Sequence, residues 1–134
     1  MESVTVILLD THALVWAVAE PKRLSTAATK AINTARQQDG LAVAAITLWE
    51  LAMLFSRGRI QAYGTIEASV RLLVEGITIK PITPEIVALS VDFPSDYSTD
   101  PADRLIGATA RAEGMPLISR DRNIGQCPLL HVIW

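Results

Sequence analysis

The sequence predicts an α/β domain of three layers, a central, mainly parallel five-stranded sheet flanked by helices. Three observations point there. Short apolar runs alternate along the 134-residue chain with stretches of helical spacing. The first run is rich in valine, isoleucine and leucine almost without a break, as in a strand buried on both faces. Half of the residues are hydrophobic and 19% are charged, which excludes disorder and gives a chain of this length enough apolar material for a core.

Val4–Leu9 is that first strand, and Leu14–Ala19 is the helix after it. Ser25–Arg36 is alanine-rich and begins with a good N-cap serine. Leu41–Ala45 is a second, less β-branched strand. Thr47-Leu48-Trp49-Glu50 has capping-box spacing, which places a helix over Leu48–Phe55. Ile66–Glu75 is helical, and Ile77–Ile79 is the third strand. Thr83-Pro84-Glu85 sets a capping residue ahead of a proline at the first helical position, opening Glu85–Val91. Asp100-Pro101 does the same for Ala102–Glu113, which Gly114 stops. Leu117–Ile118 and His131–Trp134 complete the sheet. With no repeat, low-complexity tract or Gly/Ser linker, residues 1–134 read as a single domain.

Twelve basic residues against fourteen acidic ones give a net charge of −2. That excludes a wholesale basic coat for nucleic acid but not a local basic rim. The lone Cys127 cannot form an internal disulfide, and His12 and His131 lie too far apart in sequence for a zinc-type cluster. No apolar run approaches the roughly 18 residues of a membrane span. The start, Met1-Glu2-Ser3, lacks the positive region of a signal peptide, so a cytoplasmic protein with no membrane association is expected.

The acidic residues carry the functional information. Parallel strands send all their carboxyl ends to one edge, and ligands bind there. Asp10 ends the first strand and Asp121 follows the fourth. Connecting helices run antiparallel to the strands, so their N-termini share that edge; this brings in Glu50, Asp100 and Asp103. Singly, each has an ordinary role: Glu50 closes a capping box, Asp100 caps a helix, Asp103 favours a helix dipole, and Asp10 and Asp121 serve turns. Together they form a like-charge cluster with no lysine in the motifs to offset it. Such a cluster raises carboxylate proton affinities and costs stability.

A hard cation resolves that conflict, and oxygen-only ligands select Mg²⁺ or Mn²⁺ over zinc. Thr11, Thr47 and Ser119 stand beside the acids as candidates to orient water. Arg104, Arg120 and Arg122 adjoin them as candidates for phosphate contact, and Arg57 and Arg59 end the Glu50 helix. No Walker A or G-x-G-x-x-G loop follows the first strand, so nucleotide-triphosphate and dinucleotide binding have no support. Trp16, Trp49 and Phe55 have the spacing of core or interface residues rather than of base-stacking platforms. Trp49, Met53, Leu54 and Phe55 lie close together on one helix and cannot all face inward, which predicts a partner surface.

The motifs Leu8-Leu9-Asp10-Thr11-His12, Thr47-Leu48-Trp49-Glu50-Leu51-Ala52, Asp100-Pro101-Ala102-Asp103-Arg104-Leu105-Ile106 and Leu117-Ile118-Ser119-Arg120-Asp121 occur in an order that spans almost the whole chain. In them the sequence resembles the PIN-domain ribonucleases, specifically the VapC-like toxins of type II toxin–antitoxin systems. The resemblance implies a five-stranded PIN-type sheet and metal-dependent endonucleolytic hydrolysis of RNA. It implies Asp10, Glu50, Asp103 and Asp121 as the catalytic, metal-binding acids, with Asp100 accessory. It also implies a homodimer and a small antitoxin that covers the acidic site. Three other readings remain: a PIN-like domain that binds RNA or a partner without cutting, a metal-dependent phosphatase, and a receiver-like signalling module. The last needs a late lysine, whereas the final lysine here is Lys80.

Overall fold

The computed structural model describes residues 6–38 and 40–134. Five strands, β1 (Ile7–Leu9), β2 (Leu41–Ala44), β3 (Thr78–Lys80), β4 (Leu117–Ile118) and β5 (Val132–Ile133), form one sheet in the order β3-β2-β1-β4-β5. All four pairings are parallel. Central β1 is short and wholly buried, and Leu8 pairs with Ala42 on one side and Leu117 on the other. Val4 and Thr5, expected to begin this strand, lie outside the described residues.

The helices are α1 (Thr11–Ala19), α2 (Thr26–Arg36), α3 (Ala45–Ser56), α4 (Ile66–Leu73), α5 (Pro84–Ser90), α6 (Pro101–Glu113) and the four-residue α7 (Arg122–Gly125). A 3-10 turn, Pro21–Arg23, follows α1. Alternation along the strands splits the core into two halves. Ile7, Leu9, Val43 and Ile118 pack with Leu14 and Trp16 of α1, Ile32 of α2, and Leu51 and Phe55 of α3. Leu8, Ala42 and Leu117 pack on the other side with Tyr97 from the segment before α6, Ile106 and Ala110 of α6, and Ile124 of α7. The three layers follow from this period of two, which sends successive side chains to opposite faces.

The start signals at Ser25, Thr83 and Asp100 are realised, with each side chain accepting from a backbone N–H of its helix. Gly114 ends α6 at φ 63°, a left-handed conformation that costs glycine nothing. The capping box at Thr47 and Glu50 is not formed. β2 runs straight into α3, whose N-cap is Ala44 without a side-chain hydrogen bond, so Thr47 already lies inside the helix. Its hydroxyl finds a tertiary partner instead, and Glu50 is released from capping.

Glycine is required inside α6. The rings of Phe93 and Tyr97 stack at 4.1 Å with 13° between their planes. A β-carbon at Gly107 would fall 2.9 Å from the Phe93 Cζ and closer still to the Tyr97 hydroxyl. Alanine here gains about 1 kcal/mol of helix propensity, whereas forcing apart a packed contact costs about 1–3 kcal/mol. Gly107→Ala is therefore expected to lower stability by about 1 kcal/mol in urea unfolding; a stabilised variant would show that the aromatic pair yields easily.

Candidate active site

β1 pairs directly with β4, while the chain from β1 runs outward through β2 and β3 before returning to β4. The crevice beyond the carboxyl ends of β1 and β4 is thus the topological switch point of the sheet, where open α/β folds bind ligands. Asp10 and Ser119 immediately follow those two strands, and the Asp10 N–H donates to the Ile118 carbonyl at 3.1 Å. A cleft of about 580 Å³ opens here, lined by Asp10, Glu50, Asp100, Asp103 and Asp121 together with Thr11, His12, Trp16, Arg23, Ile106, Arg120 and Ile124. All five acids expected at this edge are in it.

Each acid is fixed by neutral donors. Asp10 caps α1, accepting from the Ala13 N–H at 2.8 Å. Asp100 caps α6 through the Ala102 N–H at 2.8 Å, and Asp121 caps α7 through the Ile124 N–H at 3.1 Å. The Ser98 hydroxyl donates to Asp103 Oδ2 at 2.6 Å, and the Tyr97 hydroxyl donates to the Asp103 carbonyl at 2.9 Å. The Thr11 hydroxyl donates to Glu50 Oε1 at 2.5 Å and lies 3.0 Å from the Thr47 hydroxyl. Thr11 has one hydroxyl proton and gives it to Glu50, so Thr47 must be the donor to Thr11. This relay ties Glu50 on α3 to the end of β1.

Among the described residues no lysine or arginine forms an ion pair with any of the five; the four ion pairs are Arg23–Glu20, Arg71–Glu67, Lys80–Glu113 and Arg111–Asp92. Asp10, Glu50 and Asp103 accordingly hold protons more tightly than ordinary carboxylates. Burial is the largest cause for each. For Asp10 it outweighs the Ala13 and Ser119 hydrogen bonds, which act in the opposite sense. The charge of Asp103 adds to the upward push on both Asp10 and Glu50.

The other expected site residues divide. Thr11 is buried beneath the cleft and serves Glu50, while Thr47 acts only through Thr11. Buried Ser119 accepts from the Asp121 N–H at 3.2 Å, and its hydroxyl opposes the upward push on the Asp10 proton affinity. Arg120 reaches the cleft. Arg104 does not: its guanidinium donates to the Ser90 carbonyl at 3.2 Å, bracing α6 against α5. Consecutive helical residues point about 100° apart, so adjacency to Asp103 does not place Arg104 beside it. Arg122 lines a neighbouring depression with Gly125 and Trp134, and Arg57 and Arg59 line a second groove. His12, Arg23 and Ser98 escaped functional assignment from sequence. Pro21 was the only local hint that the chain turns back to bring Arg23 in.

The chain matches the PIN-domain family model over residues 7–128. This chain belongs to the PIN-domain family. Ribonuclease VapC22 of Mycobacterium tuberculosis is 45% identical to it over 120 residues, 90% of each chain. VapBC2 of Rickettsia felis, solved bound to a DNA fragment from its promoter, superposes with a TM-score of 0.72 at 14% identity, covering 96% of this chain and 97% of the other. A toxin–antitoxin complex from Klebsiella pneumoniae gives 0.65 at 22% identity, covering 92% and 94%. These structures share the PIN fold with this protein.

The donor set of the PIN cleft suits a hard divalent cation, since it offers carboxylate oxygens and no thiolate. Among the described residues, no three Asp, Glu, His or Cys side chains are gathered closely enough to make a ready-made metal cage.

The raised proton affinities fix the sign of a pH effect. Between the ordinary carboxylate range near pH 4 and the higher native values, the folded state binds more protons than the unfolded one, so these acids cost stability as pH rises. Asp10→Asn and Asp103→Asn remove the charge while keeping an acceptor oxygen, and asparagine caps helices as well as aspartate does. In metal-free buffer each is expected to raise the melting temperature by a few degrees at pH 7, with the gain fading as pH falls toward 4. A loss of stability at pH 7 would mean the ionised carboxylates are better solvated than their burial implies.

Proposed function

We propose that the protein is a metal-dependent endoribonuclease, the toxin of a toxin–antitoxin pair, which hydrolyses RNA phosphodiester bonds with water. The observation that carries this is the convergence of five carboxylates, none paired with a cation among the described residues, on one cleft at the switch point of a PIN-domain sheet. The 45% identical relative is itself named a ribonuclease, which supports carrying the activity to this chain.

In this reading Asp10, Glu50, Asp103 and Asp121 would hold Mg²⁺ or Mn²⁺, with Asp100 accessory. When bound there, such a cation would supply Lewis-acid stabilisation of the phosphoryl oxygens and lower the pKa of water. The chain's residues do the rest. Thr11, Thr47 and Ser98 fix the direction of Glu50 and Asp103. Water attacks phosphorus, the P–O3′ bond breaks, and the departing oxygen takes a proton. The products carry 5′-phosphate and 3′-hydroxyl ends. Single-stranded or looped RNA is the expected substrate, since an A-form duplex hides its bases in a deep, narrow groove.

The second groove, of about 520 Å³, shares Thr11, His12, Glu50 and Asp100 with the cleft and adds Ile46, Trp49, Met53 and Leu54. Phe55 is buried, whereas Trp49 is 59% exposed. This surface suits an apolar segment of a small antitoxin, which would cover the acids from the side. Self-association as a homodimer is proposed as well. No helix among the described residues is long and apolar enough to cross a membrane.

Cleavage of a structured RNA should proceed with Mg²⁺ or Mn²⁺, stop with EDTA, and fall about 100-fold or more in Asp10→Asn. Activity that survives EDTA, or products ending in 2′,3′-cyclic phosphate, would overturn the mechanism. Trp49→Glu should leave cleavage intact while weakening binding to the proposed antitoxin; unchanged affinity would move that interface elsewhere.

A further inference from the structure

The cleft is not uniformly acidic. Arg23, from the turn after α1, and Arg120, from the segment after β4, both reach it. Both guanidinium groups lie over one indole, 4.7 Å and 5.8 Å from the ring centroid of Trp16. Trp16 is buried, with Trp134 and His12 each 5.9 Å from it, centroid to centroid. Neither arginine pairs with the cleft acids. Arg23 makes a half-exposed pair with Glu20 at 3.4 Å, of the kind water and salt readily displace. Arg120 forms no ion pair among the described residues.

We propose that Arg23 and Arg120, mounted on Trp16, form a phosphate-holding subsite that grips the RNA backbone beside the scissile bond. This rests on the ribonuclease reading above. A guanidinium presents a planar fork that takes phosphate oxygens in pairs, and one resting over an indole has already lost part of the freedom that binding would remove. The indole is the floor of the subsite rather than a base platform, because it is buried and the arginines lie over it. The subsite also answers an electrostatic problem. A protein of net charge −2 attracts RNA little at long range, so fixed cations within the cleft must hold the strand.

The test uses full-length protein carrying Asp10→Asn, so that RNA is not consumed, and a fluorescein-labelled single-stranded oligouridylate followed by anisotropy over a range of salt. Arg23→Ala and Arg120→Ala should each weaken binding about tenfold. Each should also flatten the slope of log affinity against log salt by about 0.7, the value for one phosphate contact on a single strand. Arg23→Lys and Arg120→Lys should keep most of the slope and lose part of the affinity. An oligocytidylate should respond in the same way, because the contact is to backbone. Arg71→Ala, at an exposed helix position, is the control, and melting temperatures confirm folding. If the double alanine variant keeps the parent's affinity and salt slope, the subsite is refuted while the ribonuclease reading stands. A loss confined to one base would replace phosphate contact with base contact and also overturn it. Failure of the wild type to cleave RNA at all would instead remove the ribonuclease reading on which the subsite rests.

Discussion

The rest of the structure answers to one constraint: five carboxylates must face a common cleft without being neutralised. Each is held by a donor that carries no charge. Asp10, Asp100 and Asp121 accept from backbone N–H groups at helix starts, Asp103 from Ser98 and Glu50 from Thr11. A lysine or arginine partner would hold an acid as firmly, but it would also cancel the charge a cation needs. Neutral donors and helix N-termini fix direction and leave most of the charge available. The cost shows in the raised proton affinities of Asp10, Glu50 and Asp103. Capping and function are therefore one arrangement here: the bonds that begin α1, α6 and α7 also aim the acids.

Such an arrangement needs a frame that does not give. Central β1 is buried on both faces between β2 and β4, so the backbone carrying Asp10 is fixed from both sides. Glu50 is fixed through the Thr47–Thr11 relay, which only the direct run of β2 into α3 makes possible. Asp103 is fixed through the stack of Phe93 and Tyr97, whose hydroxyl reaches the Asp103 carbonyl because Gly107 leaves room for it. Site groups need close placement: the supports of Asp10 and Glu50 lie at a sheet end and on helices, while those of Asp103 lie in the connection between α5 and α6, held there by the Phe93–Tyr97 stack.

The convergence of the acids was legible in the sequence because it depends only on direction. Strand ends and the starts of returning helices share an edge, whatever the details of packing. The helix starts at Ser25, Thr83 and Asp100, and the stop at Gly114, were legible because side-chain chemistry marks them. The start of α3 was not, because Ala44 offers no capping group, while the Thr47–Glu50 spacing imitated a capping box. What remained hidden is tertiary. Arg104 neighbours Asp103 in sequence but turns to Ser90, and Arg23 joins Arg120 only once the 3-10 turn folds back over Trp16. Ser98 precedes the α6 cap as one more loop serine, and nothing local says that its hydroxyl turns to Asp103.

The cleft thus holds both signs of charge, and the structure keeps them from pairing. Opposite unit charges about 4 Å apart at a protein surface attract by roughly 4 kcal/mol before desolvation is counted, enough to collapse long arginine side chains onto nearby carboxylates. Two features oppose that collapse. The acids already have their oxygens engaged by neutral donors at set angles, and the arginines have a face of Trp16 to rest on. The attraction of a guanidinium to an aromatic face does not consume its N–H donors. A polyanion entering the cleft would meet arginines that need not first be pulled from the cleft's own acids, Arg23 giving up only its half-exposed pair with Glu20. The same separation leaves the acids to a cation. One buried indole, joined to residues far from it in the chain, therefore lets an acidic and a basic site share one cleft without cancelling.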